Sequence, residues 1–179
     1  MQRQLDTDAF DGLMSSLDPP LVVVTTAVGD ERGGCLVGFH AQAGIDPDRY
    51  CVWLSKANHT YRLALRATHL GIHFLAEDQL SLAERFGTLT GDDVDKLEGV
   101  SGAVGEADLP LLDDVPNRLL VRRIALLDEG SVHVCITTTP VVAETSGTFR
   151  PLRLSAATHL VPGHENQERH NPPTERAAD

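Results

Sequence analysis

The chain is short of cysteine, has no surplus of basic residues and contains no long apolar run, and each shortage removes a class of function. Its formal charge of -11 argues against a surface for nucleic-acid phosphates, which needs a basic patch; an acidic surface serves solubility instead. No apolar stretch approaches the roughly 20 residues that cross a bilayer. The opening MQRQLDTDAFDG has no apolar core like that of a signal peptide. The three cysteines, Cys35, Cys51 and Cys135, are odd in number, sit in strand-like contexts and show no CxxC or Cys/His ligand spacing. They read as buried free thiols, and a reducing cytoplasm is the expected compartment.

Familiar catalytic signatures are missing too. Gly33-Gly34 and Gly38 do not form a dinucleotide fingerprint, and no Walker loop, HExxH or GxSxG occurs. His69 and His73 have helical metal-ligand spacing, but Gly71 between them marks a helix-to-strand change, so no metal site is expected. Asp92, Asp93 and Asp95 read as a cap with a solvated acidic turn rather than a cation loop. Ser155 and His159 are too isolated to serve as nucleophile and base.

What is present describes one globular domain. The 179 residues, 41% hydrophobic and 23% charged, suffice for a substantial core. The domain is expected over residues 1–161, followed by a polar, proline-bearing tail over 162–179 that should be disordered. Residues 6–17 predict an amphipathic helix with Phe10, Leu13, Met14 and Leu17 on one face and Asp6 or Thr7 as cap; Pro19-Pro20 ends it. Residues 21–28 form a β-branched run suited to a strand, and 29–34 read as a charged, glycine-rich hairpin connection. Helical patterns follow at 59–68, 81–86 (capped by Asp78 or Ser81) and 92–97, with loop or a short strand at 99–105. Strands are expected at 70–75, 118–127 and 131–138, with short pairings at 141–144 and 151–154. Many short strands with short helices and no βαβ period predict a barrel with helical insertions.

The chain is organised around residues 34–62, GCLVGFHAQAGIDPDRYCVWLSKANHTYR. Residues 34–42 read as a strand with Gly38 in its middle, where glycine marks a bulge or a close backbone approach by a ligand. Asp46-Pro47-Asp48 turns the chain, residues 50–54 return as a strand, and Ser55 to Thr60 place hydroxyls, an amide and a cation at a helix start. Helix N-termini suit anions, so the segment suggests a flat ligand against backbone with its phosphate at the helix. The plainer alternative stands beside it: Gly38 as a barrel bend, Lys56 as a solvated side chain, Asn58 or Thr60 as an ordinary cap. His40 reads first as a satisfied histidine, His59 as a donor to a phosphate, and Phe86 as a core aromatic.

GCLVGFHAQAGIDPDR, LSKANHTYRLA, HFLAEDQLSLAERFGTLTGDDVDK and the run from Pro20 to Thr26 resemble, in order and spacing, the flavin reductase family, particularly its actinobacterial members. The resemblance implies a mainly β fold with helical insertions, the FMN-binding split β-barrel. It implies FMN as the flavin and NADH or NADPH as reductant, the flavin carrying the hydride while the protein positions it. The ring would lie along Leu36, Val37, Gly38, Phe39, His40, Ala41 and Gln42, with Lys56, Asn58, His59 and Thr60 at the phosphate end and Phe86 nearby. A homodimer and an oxygenase receiving reduced flavin are the implied partners. No catalytic residue and no metal ligand is assigned.

Two departures stand out. Relatives carry hydroxyl residues where Ala41 and Gly44 stand. The family's Gly-Asp-His also becomes Gly130-Ser131-Val132, and His133, one place later, should point to the opposite face of a regular strand unless a bulge shifts the register. A flavin-binding dimer without efficient nicotinamide chemistry is therefore the alternative reading.

Overall fold

The computed structural model describes residues 5–91, 94–99 and 108–161. In chain order these form α1 (Thr7–Leu17), β1 (Val22–Val28), β2 (Glu31–Val37), β3 (His40–Ile45), β4 (Asp48–Ser55), α2 (His59–Ala64), β5 (His69–Phe74), α3 (Leu80–Thr88), β6 (Arg118–Leu127), β7 (His133–Glu144) and a 3-10 turn (Leu154–Ala157). The strands make one sheet of order β2-β1-β5-β6-β7-β4-β3, and every pairing is antiparallel.

That order dictates a barrel. β2 and β3 lie at opposite edges of the sheet, yet only Gly38 and Phe39 separate them in sequence. Seven flat strands would put the edges about 29 Å apart, whereas the link from Val37 to His40 spans at most about 11 Å. The sheet must curl until its edges meet. Among the described residues no ladder joins those edges, so the barrel is split along a seam at Gly38-Phe39. Phe39 belongs to the β3 side, its carbonyl accepting from Trp53 N–H at 2.9 Å.

β1 shows why the body has two cores. Successive residues on a strand face opposite sides; Val22 and Val24 enter the barrel interior with Val37, Val52, Leu54, Ile72 and Ile136. Leu21 and Val23 enter an outer layer with Phe86, Ala83, Leu97, Leu152 and Ala157. Gly33 and Gly34 alternate in the same way. A Cβ at Gly33 would stand 2.8 Å from Leu63 of α2, and one at Gly34 would stand 2.8 Å from Phe86 of α3. The two glycines thus let a helix pack on each face of β2.

The sequence reading is corrected at several points. The strand expected over 34–42 is two strands broken at the seam. The β1–β2 connection is only Gly29-Asp30, with Gly33-Gly34 inside β2. α2 stops at Ala64, and α3 starts at Leu80 with Gln79 at its N-cap position and no side-chain cap bond. Gln79 instead accepts from Ala76 N–H and donates to the Asp114 carbonyl. β7 runs on through Pro140, where the register against β6 shifts between Leu120 and Val121. His69 and His73 both lie on β5 rather than at a helix-to-strand change. Asp6 caps α1, its carboxylate accepting from Ala9 N–H at 3.1 Å. The apolar face Phe10, Leu13, Met14 and Leu17 is exposed, however, and α1 buries no residue. Asp92, Asp93, residues 100–105 and the tail over 162–179 lie outside the described residues.

Candidate functional site

A cleft of about 350 Å³ opens at the seam, within the range of small-molecule sites. One wall is the end of β2 and the crossing itself: Leu36, Val37, Gly38 and Phe39. β4 adds Trp53, Leu54 and Ser55, and Asn58 stands at the entry to α2. α3 and the chain after it add Phe86, Gly87, Leu89 and Lys96; His133, Leu154, Ala157 and Leu160 complete the lining. Apolar walls with a few separated polar groups are the usual makeup of a site that orients a largely flat organic ligand.

Of the residues singled out from the sequence, Leu36, Val37, Gly38, Phe39, Asn58 and Phe86 meet at this cleft. The others do not line it. His40 has both ring nitrogens engaged, Nδ1 with Tyr50 Oη at 2.7 Å and Nε2 with the Pro20 carbonyl at 2.9 Å. Burial holds its pKa below the ordinary histidine value, so it is a neutral brace. Ala41 and Gln42 lie beyond it on exposed β3, where Gln42 Nε2 donates to the Gly44 carbonyl. Lys56 pairs with Asp128 at 2.8 Å. The His59 ring packs under Gly91, where a Cβ would meet it at 3.2 Å, and its Nδ1 lies 3.4 Å from Arg62. Thr60 is fully buried; its hydroxyl lies beside the Cys35 thiol and makes no hydrogen bond of good geometry. The anion-binding helix start read from the sequence is six residues long, and that loop gives the cleft only Ser55 and Asn58.

Trp53 and Lys96 were not singled out as site residues, and His133 was expected on the opposite face of its strand unless the register shifted. His133 is the instructive one. Strand alternation cannot be counted from Gly130, because residues 128–132 form a loop. Gly130 has φ 83 and donates its N–H to Asp128 Oδ1 at 3.0 Å, and the Val132 carbonyl accepts from Lys56 N–H at 2.9 Å. β7 begins only at His133, opposite Ser55. Its ring meets Phe39 edge to face at 5.1 Å and lines the cleft. Lys96 is 5% exposed and donates from Nζ to the Phe86 carbonyl at 3.1 Å.

The three cysteines are free and buried. Burial pushes the Cys35 thiol up to about 11, against the pull of the Lys96 charge. Among the described residues no group of three or more His, Cys, Asp or Glu side chains could hold a metal ion, and no helix is long and apolar enough to cross a membrane.

The family model of the flavin reductase-like domain matches residues 14–150. A high molecular weight rubredoxin from Moorella thermoacetica is 30% identical over 62% of this chain and 47% of its own length, so the chain spans about half of that relative. An FMN-binding protein from Thermus thermophilus superposes with TM-score 0.67 at 20% identity, over 79% of this chain and 76% of that one. A homologue of nitrilotriacetate monooxygenase component B from Mycobacterium thermoresistibile superposes with TM-score 0.67 at 18% identity, over 96% of both chains. With most of its length matched by the domain model and its sheet curled into the FMN-binding split barrel, the chain belongs to the flavin reductase-like family of oxidoreductases.

Proposed function

We propose that the chain binds FMN in the seam cleft and reduces it with NADH or NADPH. The cleft itself carries this reading: it lies where the backbone of Gly38 and Phe39 crosses the open edge of the barrel. The residues present fit a flat ring with an anionic side chain. A Cβ at Gly38 would have only Leu21, at 3.7 Å, within 4 Å, so the fold leaves that position open. Phe39, Trp53 and Phe86 offer apolar surface, and Lys96 offers a cation.

When bound, the flavin supplies the hydride and electron chemistry. The chain's own residues bind it, orient it and keep water from its ring. Phe39 and His133 meet in the lining of the cleft and would position a nicotinamide against the ring. Reduced flavin would leave for an oxygenase partner, the role suggested by the monooxygenase component among the similar structures. The exposed apolar face of α1, together with exposed Ile124, Leu126 and Leu127 on β6, supports a homodimer, and free thiols support a cytoplasmic setting.

Anaerobic titration of the purified chain with FMN, followed by each nicotinamide, tests the proposal. Bound flavin should bleach with NADH or NADPH. The second reading, a flavin-binding dimer without nicotinamide chemistry, rests on Gly130-Ser131-Val132 standing where the family has Gly-Asp-His. It predicts bleaching by dithionite alone. A chain that leaves the FMN spectrum unperturbed refutes both.

A further inference from the structure

The link from β2 to β3 is held at both ends by one short stretch of chain. Val37, the last residue of β2, is the ladder partner of Val22 on β1. His40, the first residue of β3, reaches back across the seam and donates from Nε2 to the Pro20 carbonyl at 2.9 Å. A carbonyl only accepts, so Nε2 carries the proton and Nδ1 is the acceptor for the Tyr50 hydroxyl, at 2.7 Å. The imidazole thus bridges two edges that no described ladder joins. Only Gly38 and Phe39, both in the wall of the cleft, lie between Val37 and His40. Opposite His40 on β4 stands Val52 of the barrel interior. The ring is therefore on the inner face, stacked on Tyr50 at 6.0 Å and edge-on to Phe74 at 6.3 Å.

A second proton on the ring would undo this arrangement. Nδ1 would become a donor, and the Tyr50 hydroxyl would lose its acceptor. The groups that meet the ring are Tyr50 from β4, Phe74 from β5 and the Pro20 carbonyl from the chain before β1. Burial pushes the Tyr50 phenol up to about 12, so it stays neutral. On the Pro20 side, Arg153 is the backbone bridge partner and donates to the Asp18 carbonyl, while the Asp18 carboxylate accepts from Ser155. The imidazole is half-buried, within reach of a proton from water, and burial holds its pKa below the ordinary 6.5. We propose that neutral His40 is the latch that fixes the Gly38-Phe39 wall of the seam cleft, and that protonation releases this wall. His40 is a positioning residue: it acts through Phe39, whose carbonyl accepts from Trp53 N–H at 2.9 Å. What the latch does to a bound flavin rests on the flavin reading above.

Trp53 is the chain's single tryptophan and lines the cleft, so its fluorescence reports on the wall without any ligand. Emission and riboflavin affinity should be followed from about pH 8 to about pH 5, with circular dichroism showing that the full chain stays folded. Riboflavin is the probe because a phosphate monoester itself titrates near about pH 6. In the wild type, acidification should shift the Trp53 emission. Riboflavin affinity should fall with it, by up to about tenfold per pH unit once His40 is charged. His40→Gln keeps a donor for the Pro20 carbonyl and does not titrate, so this step should be missing from both of its curves. The same step in His40→Gln, or no step in the wild type, overturns the proposal. So does a His40-dependent emission step that leaves riboflavin affinity flat. If riboflavin does not bind at any pH, the emission step alone decides the latch, and FMN at about pH 8 decides the flavin reading separately. Should His40→Gln not fold, Tyr50→Phe decides. It lacks the hydroxyl that keeps Nδ1 unprotonated, so the step should move to higher pH, and an unmoved step overturns the proposal.

Discussion

Adding side chains at two glycines of one strand region separates what the fold needs from what the ligand needs. At Gly34 a Cβ would lie 2.8 Å from Phe86 Cε1 and 3.2 Å from Cδ1. Phe86 is 2% exposed among Ala83, Leu97 and Leu112 and has little room to retreat. Gly34→Ala should therefore cost about 1–3 kcal/mol of stability, the usual range for overpacking. At Gly38 the nearest atom would be Leu21 Cδ2 at 3.7 Å, an ordinary contact, and the backbone is outside the left-handed region. Gly38→Val should change stability by no more than about 0.5 kcal/mol. Its isopropyl group would nevertheless occupy space at the seam cleft, and FMN affinity should fall at least about tenfold, or roughly 1.4 kcal/mol. Urea midpoints of the two variants and FMN titration of Gly38→Val provide the measurement. Gly38→Val that binds FMN like the wild type, or that loses more stability than Gly34→Ala, refutes the argument.

His73 is fully buried, donating from Nδ1 to the Val23 carbonyl and accepting at Nε2 from Leu112 N–H, and burial pushes its pKa down from 6.5 to about 4. The unfolded chain takes up the proton first, so stability that is full above pH 6.5 is lost as the pH falls towards 4. Roughly 2 kcal/mol should be gone by pH 5, seen as a falling urea midpoint that is flatter in His73→Gln; identical pH profiles deny the burial argument. The native chain should show no rapid reaction of Cys35 with Ellman's reagent at pH 8, since its thiol titrates near 11, and unfolding in denaturant should release all three thiols. His133→Ala should slow reduction of bound FMN by NADH at least about tenfold while weakening FMN binding less. An unchanged rate would remove His133 from the nicotinamide side of the cleft.

Local pattern carried much of the fold. The run Val22-Val23-Val24 announces a strand buried on both faces, and residues 118–127 match β6 to the residue. What local pattern cannot convey is where a strand goes next. Residues 34–42 are continuous in composition, yet the chain leaves one edge of the sheet at Val37 and joins the other at His40; only the pairing of β3 with β4 fixes that break. Gly33-Gly34 reads as turn chemistry because glycine is commonest there. Its actual use is helix approach, which depends on Leu63 and Phe86, some 30 and 50 residues away in sequence. The site divides in the same way. The contiguous part, Leu36 to Phe39, was visible; Trp53, Lys96 and His133 arrive from separate elements. Lys56 looked suitable only because Asp128, its partner, is far off in sequence.

The topology also bears on why the proposed ligand site would fall at this seam rather than elsewhere on the barrel. An interior strand engages its N–H and C=O groups with two neighbours, but among the described residues β2 pairs only with β1. An edge strand leaves one row of backbone donors and acceptors outside the ladder, and buried backbone groups left without partners are costly. Joining β2 to β3 through two residues brings that edge close to β4 and β7 without letting a ladder close over it, since Gly38 and Phe39 occupy the gap. Apolar side chains from α3 and the 3-10 turn then screen the edge from water. A planar molecule with alternating donors and acceptors along one side, and apolar faces above and below, answers both demands at once. It can pair with the exposed edge and fill the space that Phe39, Trp53 and Phe86 enclose.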